Sequence, residues 1–195
     1  MFYWIVYYFS KLLSKLFFPI TVYGLENLPS SGGYIIASNH ISNIDPVAIG
    51  ATVPRRISFM AKDSLFKNPV LRWILFGLDT FPVRRETADI GALREAIRRL
   101  KAGRPLVMFP EGTRAKKNGD ARKIQEGVGF LVVKSGVPVI PVKVEDSDKV
   151  FPRGAKMFKR HPITLIFGKP ITFDAKQDYG EIAQSIMQHI HSLSW

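Results

Sequence analysis

The chain has 195 residues, 46% hydrophobic and 23% charged, a balance that supports one domain with a substantial core and excludes a disordered chain. It contains no cysteine, so disulfides, thiolate metal sites and a cysteine nucleophile are excluded. Its 28 Lys and Arg against 16 Asp and Glu give a formal net charge of +12, which favours an anionic lipid surface or a phosphate-bearing substrate; without an RRM, KH, zinc-finger or helix-turn-helix signature, no nucleic-acid partner is expected.

Residues Met1 to Phe18 are crowded with apolar and aromatic side chains, among them Phe2, Trp4, Ile5, Phe9, Leu12, Leu16 and Phe17. Ser10, Lys11, Ser14 and Lys15 fall at helical spacing as a polar stripe, continued by Tyr3 and Tyr7. At 1.5 Å per residue such a helix reaches about 27 Å, short of a hydrocarbon core of about 30 Å, and it carries two lysines. It is expected to lie in a membrane interface rather than cross it. A basic n-region and an A-x-A-like cleavage site are both missing, against a signal peptide. The rival reading is a helix packed on the domain's own core; Trp4, Tyr7 and Tyr8 favour the interface.

Ile20 to Tyr23 reads as a strand, and Pro29 to Gly33 as a turn before the buried strand Tyr34 to Ala37. Ser38-Asn39-His40-Ile41-Ser42-Asn43-Ile44-Asp45-Pro46 follows, placing a His and an Asp five residues apart in one loop. A neutral imidazole accepts a proton near neutral pH when a partner fixes which nitrogen carries the hydrogen, and Asp45 is placed to do so for His40. Asp45 is also expected to cap a short helix with Pro46 at its first position; on the plainest reading Asn39 and Ser42 are loop residues.

A strand at Ile57 to Met60, a helix from Pro69 to about Gly77, and the run Phe81-Pro82-Val83 leading to Arg84-Arg85 come next. A further amphipathic helix puts Ile90, Leu93, Ile97 and Leu100 on one face and leaves Arg94, Arg98 and Arg99 as solvated charge. The apolar run Pro105 to Met108 then opens into Phe109-Pro110-Glu111-Gly112-Thr113-Arg114, a second polar cluster at a strand end, the rim where open α/β sheets bind ligands. Gly112 permits a tight turn, Thr113 offers a hydroxyl and an amide, and Arg114 carries a fork suited to phosphate or carboxylate.

A helix from Gly127 to Lys134, a buried strand at Val139 to Val142, a basic loop studded with aromatics between Lys149 and Arg160, and a strand at Ile163 to Phe167 complete the alternation. Asp178-x-x-Glu181 marks the start of a last helix with Ile182, Ile186, Ile190 and Leu193 on one face. The four His, at 40, 161, 189 and 191, have no metal-ligand spacing, so no metal is expected. The fold class is α/β, a single domain.

Two blocks, Asn39-His40 with Asp45 and Phe109 to Arg114, resemble the N-H-x4-D and F-P-E-G-T-R hallmarks of the 1-acyl-glycerol-3-phosphate acyltransferase family. Phe81 to Arg85 is similar to that family's arginine block and Val137 to Val142 to its late V-P-[IV]-[IV]-P strand, all four in the family's order. Ala115 and Gln125 depart from the Ser and Lys usual there. The resemblance implies a glycerol-3-phosphate acyltransferase-like fold, a mixed sheet surrounded by helices, in residues 20–195, with residues 1–19 as the membrane-interface helix. It implies transfer of a fatty acyl group from acyl-CoA or acyl carrier protein, as co-substrate and without cofactor, to lysophosphatidic acid, on the cytoplasmic face of a membrane. His40 and Asp45 would be catalytic, Arg85 and Arg114 would take the acceptor's phosphate, Glu111 would hold the loop, and Gly112 with neighbouring amides would stabilise the oxyanion. Another lysolipid or glycerol 3-phosphate stays open as acceptor. A non-catalytic basic protein bound to anionic membranes is the reading from a different class; with no G-x-S-x-G elbow, a covalent acyl-enzyme is not expected.

Overall fold

A computed structural model describes residues 1–84, 89–112, 124–152, 155 and 157–195. Among them, strands and helices alternate in the expected order: α1 (Phe2–Phe17), β1 (Ile20–Tyr23), β2 (Ile35–Ser38), α2 (Asp45–Thr52), β3 (Ser58–Lys62), α3 (Pro69–Gly77), β4 (Thr80–Val83) and α4 (Ile90–Lys101). The second half adds β5 (Leu106–Met108), α5 (Gly127–Ser135), β6 (Val139–Glu145), α6 (Ser147–Val150), β7 (Ile163–Phe167) and α7 (Tyr179–Ser192). The strands form one mixed sheet in the order β1-β7-β6-β2-β5-β3-β4. Its centre is parallel, β2 lying between β6 and β5, and the antiparallel step is β6 to β7. All four β2 residues are buried, as a strand covered on both faces requires.

Two apolar layers sandwich the sheet. On one side Ile44, Ala48 and Ile49 of the α2 region pack against Ile36, Val107, Ile140 and Leu165. On the other, α4, α5 and α7 supply Ala96, Leu100, Leu131, Ile186 and Ile190 against Ile35, Leu106 and Val139. The helices that follow β2 and β5, α2 and α5, thus lie on opposite faces of the sheet, the arrangement at which open α/β sheets bind ligands.

The buried stripe of α4 is Ala92, Ala96 and Leu100, with Ile90 61% exposed, so the core face is rotated from the expected one. The helix turns because Arg99 faces inward. Its Nη1 donates to Asp79 Oδ1 at 3.0 Å, to the Asp79 carbonyl at 2.7 Å and to Ser58 Oγ at 3.1 Å. Arg99 is therefore not solvated charge: its side chain is 12% exposed and lies over the Phe81 ring. Asp79, buried and in the left-handed region at φ 60°, also meets Arg104 and Arg56 at 3.3 and 3.5 Å. This hub ties β3, β4 and α4 together at the amino ends of the strands. Glu95 receives Arg98 and Arg99, and the Arg98 hydrogen bonds lead in holding its carboxyl down to about 2.

Part of the polar stripe of α1 faces the protein, while its Lys11 and Lys15 are exposed. Tyr3, Tyr7 and Ser14 are buried, and the Tyr3 hydroxyl accepts the Ile57 amide at 3.0 Å while burial pushes its pKa up. The apolar face is turned outward: Ile5, Phe9, Leu12, Leu16 and Phe17 are each at least half exposed. On α3, Val70 and Trp73 are exposed as well, and Phe2 packs 4.8 Å from the Trp73 ring, joining the two apolar faces. Among the described residues no helix is long and apolar enough to cross a membrane.

Candidate active site

The loop after β2 folds back on itself around one carboxylate. Asp45 is fully buried, and its Oδ2 accepts the Ile41 amide at 2.8 Å, the Ser42 amide at 2.8 Å and His40 Nδ1 at 2.7 Å. Its Oδ1 accepts the hydroxyl of Ser147, from the start of α6. Four donors converge on one carboxyl group. The Ile41 and Ser42 amides can only donate, so Oδ2 is held as an acceptor toward His40 Nδ1. That in turn places the hydrogen of His40 on Nδ1 and leaves Nε2 as the basic nitrogen; Nε2 makes no hydrogen bond among the described residues.

Asp45 does not cap α2. It is the first helical residue, the cap position is Ile44, and no side-chain cap bond forms, because both carboxylate oxygens are already committed to the loop and to Ser147. Its charge still sits at a helix amino end, where the macrodipole favours an anion.

Nor are Asn39 and Ser42 plain loop residues. Asn39 makes two bonds to one residue of β6, its Nδ2 donating to the Val144 carbonyl at 2.8 Å and its Oδ1 accepting the Val144 amide at 2.7 Å. Ser42 Oγ donates to the Phe151 carbonyl at 3.0 Å. The loop is thereby fixed both to β6 and to the residue that follows α6.

From the neighbouring strand β5, Phe109 stacks on the His40 ring with centroids 4.2 Å apart and planes at 24°. This contact aligns the imidazole and offers a π face to the cation it becomes on protonation. Glu111 is buried. Gly112 turns the chain at φ 65°, a left-handed conformation where a Cβ would also come 3.1 Å from the Gln125 side chain. Its own amide donates to the Phe109 carbonyl at 2.9 Å. That N–H is used within the turn, so Gly112 does not itself offer an oxyanion donor. Thr113, Arg114 and Arg85 lie outside the described residues. Arg84 is described: its side chain is 75% exposed and its amide donates to Asp89.

His40 and Asp45 form a buried hydrogen-bonded pair where β2 gives way to its loop, and among the described residues no group of three or more His, Asp or Glu is arranged to hold a metal ion. The Acyltransferase family model matches residues 19–145, and the chain belongs to that family. Relatives of this chain carry the name 1-acyl-sn-glycerol-3-phosphate acyltransferase. It is 29% identical over 162 residues to the 1-acyl-sn-glycerol-3-phosphate acyltransferase of Bacillus subtilis, with 83% of this chain and 78% of that protein covered. A chloroplast 1-acyl-sn-glycerol-3-phosphate acyltransferase of Brassica napus is 30% identical over 182 residues, 87% of this chain. The chain spans about half the length of that plant relative, 52%. The crystal structure of the 1-acyl-sn-glycerophosphate acyltransferase PlsC from Thermotoga maritima superimposes with a TM-score of 0.77 at 27% identity, covering 97% of this chain and 78% of that one.

Proposed function

We propose that this protein transfers a fatty acyl group from an acyl thioester, acyl-CoA or acyl carrier protein, to the free hydroxyl of lysophosphatidic acid, giving phosphatidic acid. The observation that carries the reading is the convergence of four donors on Asp45, which leaves His40 Nε2 as a base in the loop after β2. The names of the relatives support the substrate class.

In this mechanism Nε2 takes the proton of the acceptor hydroxyl as its oxygen attacks the thioester carbonyl. Asp45 stabilises the imidazolium, and the Phe109 ring lies against its face. When the tetrahedral intermediate collapses, the C–S bond breaks and the imidazolium returns the proton to the departing thiolate. The products are an ester and a free thiol, and the histidine is restored. Arg85 and Arg114 hold the acceptor's phosphate, with Glu111 and Thr113 shaping the loop that carries Arg114. Residues 1–19 rest in the interface of an anionic membrane, on its cytoplasmic face, and residues 20–195 carry the chemistry. The outward apolar face of α1 and exposed Lys11 and Lys15 beside it support that placement.

The test is purified protein with a panel of acyl thioesters and of acceptors, namely lysophosphatidic acid, other lysolipids and glycerol 3-phosphate, read by mass spectrometry. Phosphatidic acid is expected as the leading product. A panel without any acyl transfer would refute the proposal.

A further inference from the structure

Three ties bind β6 and the segment after it to the His40 loop, and one of them differs in kind. Asn39 to Val144 and Ser42 to Phe151 end on backbone groups, as ties that only hold a loop in place commonly do. The third runs from the Ser147 hydroxyl to the side chain of Asp45, between residues 102 apart in sequence, and both are fully buried.

The two oxygens of Asp45 are held differently. Oδ2 is fixed by two amides of its own loop and by the histidine. Oδ1 has Ser147 as its donor among the described residues. Without that donor the carboxylate keeps its position but loses its second point of attachment, so it can rotate about the Cβ–Cγ bond and carry the imidazole hydrogen bond out of line. The chain reaches this position through Asp146, whose left-handed φ of 66° turns it from β6 straight into α6 and sets Ser147 at the first helical residue. Asp146 also holds Lys149 at 2.8 Å, which fixes the turn from outside.

We infer that Ser147 is a positioning residue for the acyl-transfer reaction, acting through Asp45 to keep the His40 ring in one orientation as it gains and returns the proton. This rests on the general-base function proposed above for His40. Ser147 touches neither substrate in that mechanism. Its contribution is expected in kcat and not in acceptor KM, because the ring must be aligned when the proton moves whereas the phosphate is bound elsewhere.

The experiment compares wild type, Ser147→Ala, Ser147→Thr, Asp45→Asn and the Ser147→Ala/Asp45→Asn double variant, with acyl-CoA and lysophosphatidic acid in mixed micelles. Thermal melts are recorded so that rates refer to folded protein. Ser147→Ala is expected to lower kcat by about 10- to 100-fold, the range for a hydrogen bond to a charged group, with acceptor KM within about 3-fold. Ser147→Thr retains the hydroxyl and is expected to recover most of the rate. In the Asp45→Asn background the Ser147→Ala change is expected to cost under about 10-fold and less than in wild type, since the bond it then removes joins two neutral groups. If Ser147→Ala does not fold, Ser147→Cys replaces it: the thiol has a similar shape but is a weak donor, and a drop in kcat of about 10-fold is expected.

Equal kcat for wild type and folded Ser147→Ala or Ser147→Cys overturns the positioning role and leaves the general-base reading standing. So does full additivity of Ser147→Ala with Asp45→Asn, which is the behaviour of a residue that only supports the fold. A wild-type protein that transfers no acyl group from any donor overturns both readings.

Discussion

Asp45→Asn separates two roles that a carboxylate next to a catalytic histidine can play. In a serine-protease triad the same change costs about 10⁴-fold because the amide reverses and stabilises the wrong histidine tautomer. Here reversal is opposed by the Ile41 and Ser42 amides, both 2.8 Å from Oδ2, which require an oxygen at that position. The Asn side chain should therefore keep its oxygen toward His40 and its Nδ2 toward Ser147, whose hydroxyl can accept as well as donate. The Nδ1 hydrogen stays in place, and what disappears is the negative charge beside the imidazolium. For charge centres about 4 Å apart at an effective dielectric of about 20, that attraction is ~4 kcal/mol, an upper figure for the net loss. Allowing for the neutral hydrogen bond that remains, the loss is about 2–3 kcal/mol, or roughly 30- to 150-fold in kcat. The assay is release of free thiol from acyl-CoA at saturating lysophosphatidic acid, with urea titration to confirm folding. A folded Asp45→Asn protein within about 3-fold of wild type would refute the electrostatic role. A loss near 10⁴-fold would refute the claim that the two amides protect the tautomer.

Phe9→Glu combined with Leu12→Glu places two charges on the outward face of α1, where both residues are 57% exposed, so the melting temperature should be unchanged while sedimentation with anionic vesicles is lost. Retained vesicle binding would show that another surface makes the contact. Arg85→Lys and Arg114→Lys should each raise the KM for lysophosphatidic acid by about 10- to 150-fold through loss of a forked phosphate contact, while Arg84→Lys, at a side chain 75% exposed, should change little; kinetics against a neutral monoacylglycerol provides the comparison. Asp79→Ala leaves the Arg99 guanidinium, 12% exposed, without its carboxylate and should cost about 3–5 kcal/mol in urea unfolding, whereas a change below about 1 kcal/mol would show that Arg104, Arg56 and Asp79 form only a surface cluster.

What was legible in the sequence is what is local in the sequence. The β2, β5, β6 and β7 strands are apolar runs because each is covered by helices or a neighbouring strand, and both hallmark clusters stand at strand ends because loops leave the sheet there. The His40 and Asp45 pairing lies within a single loop, five residues apart, and forms as expected. The partners that finish the site come from afar: Val144 is 105 residues from Asn39, and Ser147 is 102 from Asp45. A serine after a buried strand has no pattern that announces such a bond. Arg99 and Asp79 were illegible for a related reason, since a basic residue on an amphipathic helix reads as solvated unless its buried partner is known. The orientation of α1 follows the same logic. Periodicity separates the helix into two faces, but it does not show that the Tyr3 hydroxyl meets the Ile57 amide, a contact that turns the side with Tyr3, Tyr7 and Ser14 inward and leaves Lys11 and Lys15 exposed.

The central claim is that His40 is the base for acyl transfer to a lysolipid hydroxyl. It is tested most directly by incubating wild type and His40→Ala with acyl-CoA and lysophosphatidic acid, and following phosphatidic acid by mass spectrometry. Wild type is expected to form it, and folded His40→Ala to form it about 10²- to 10⁴-fold more slowly. Equal rates for the two proteins would contradict the account.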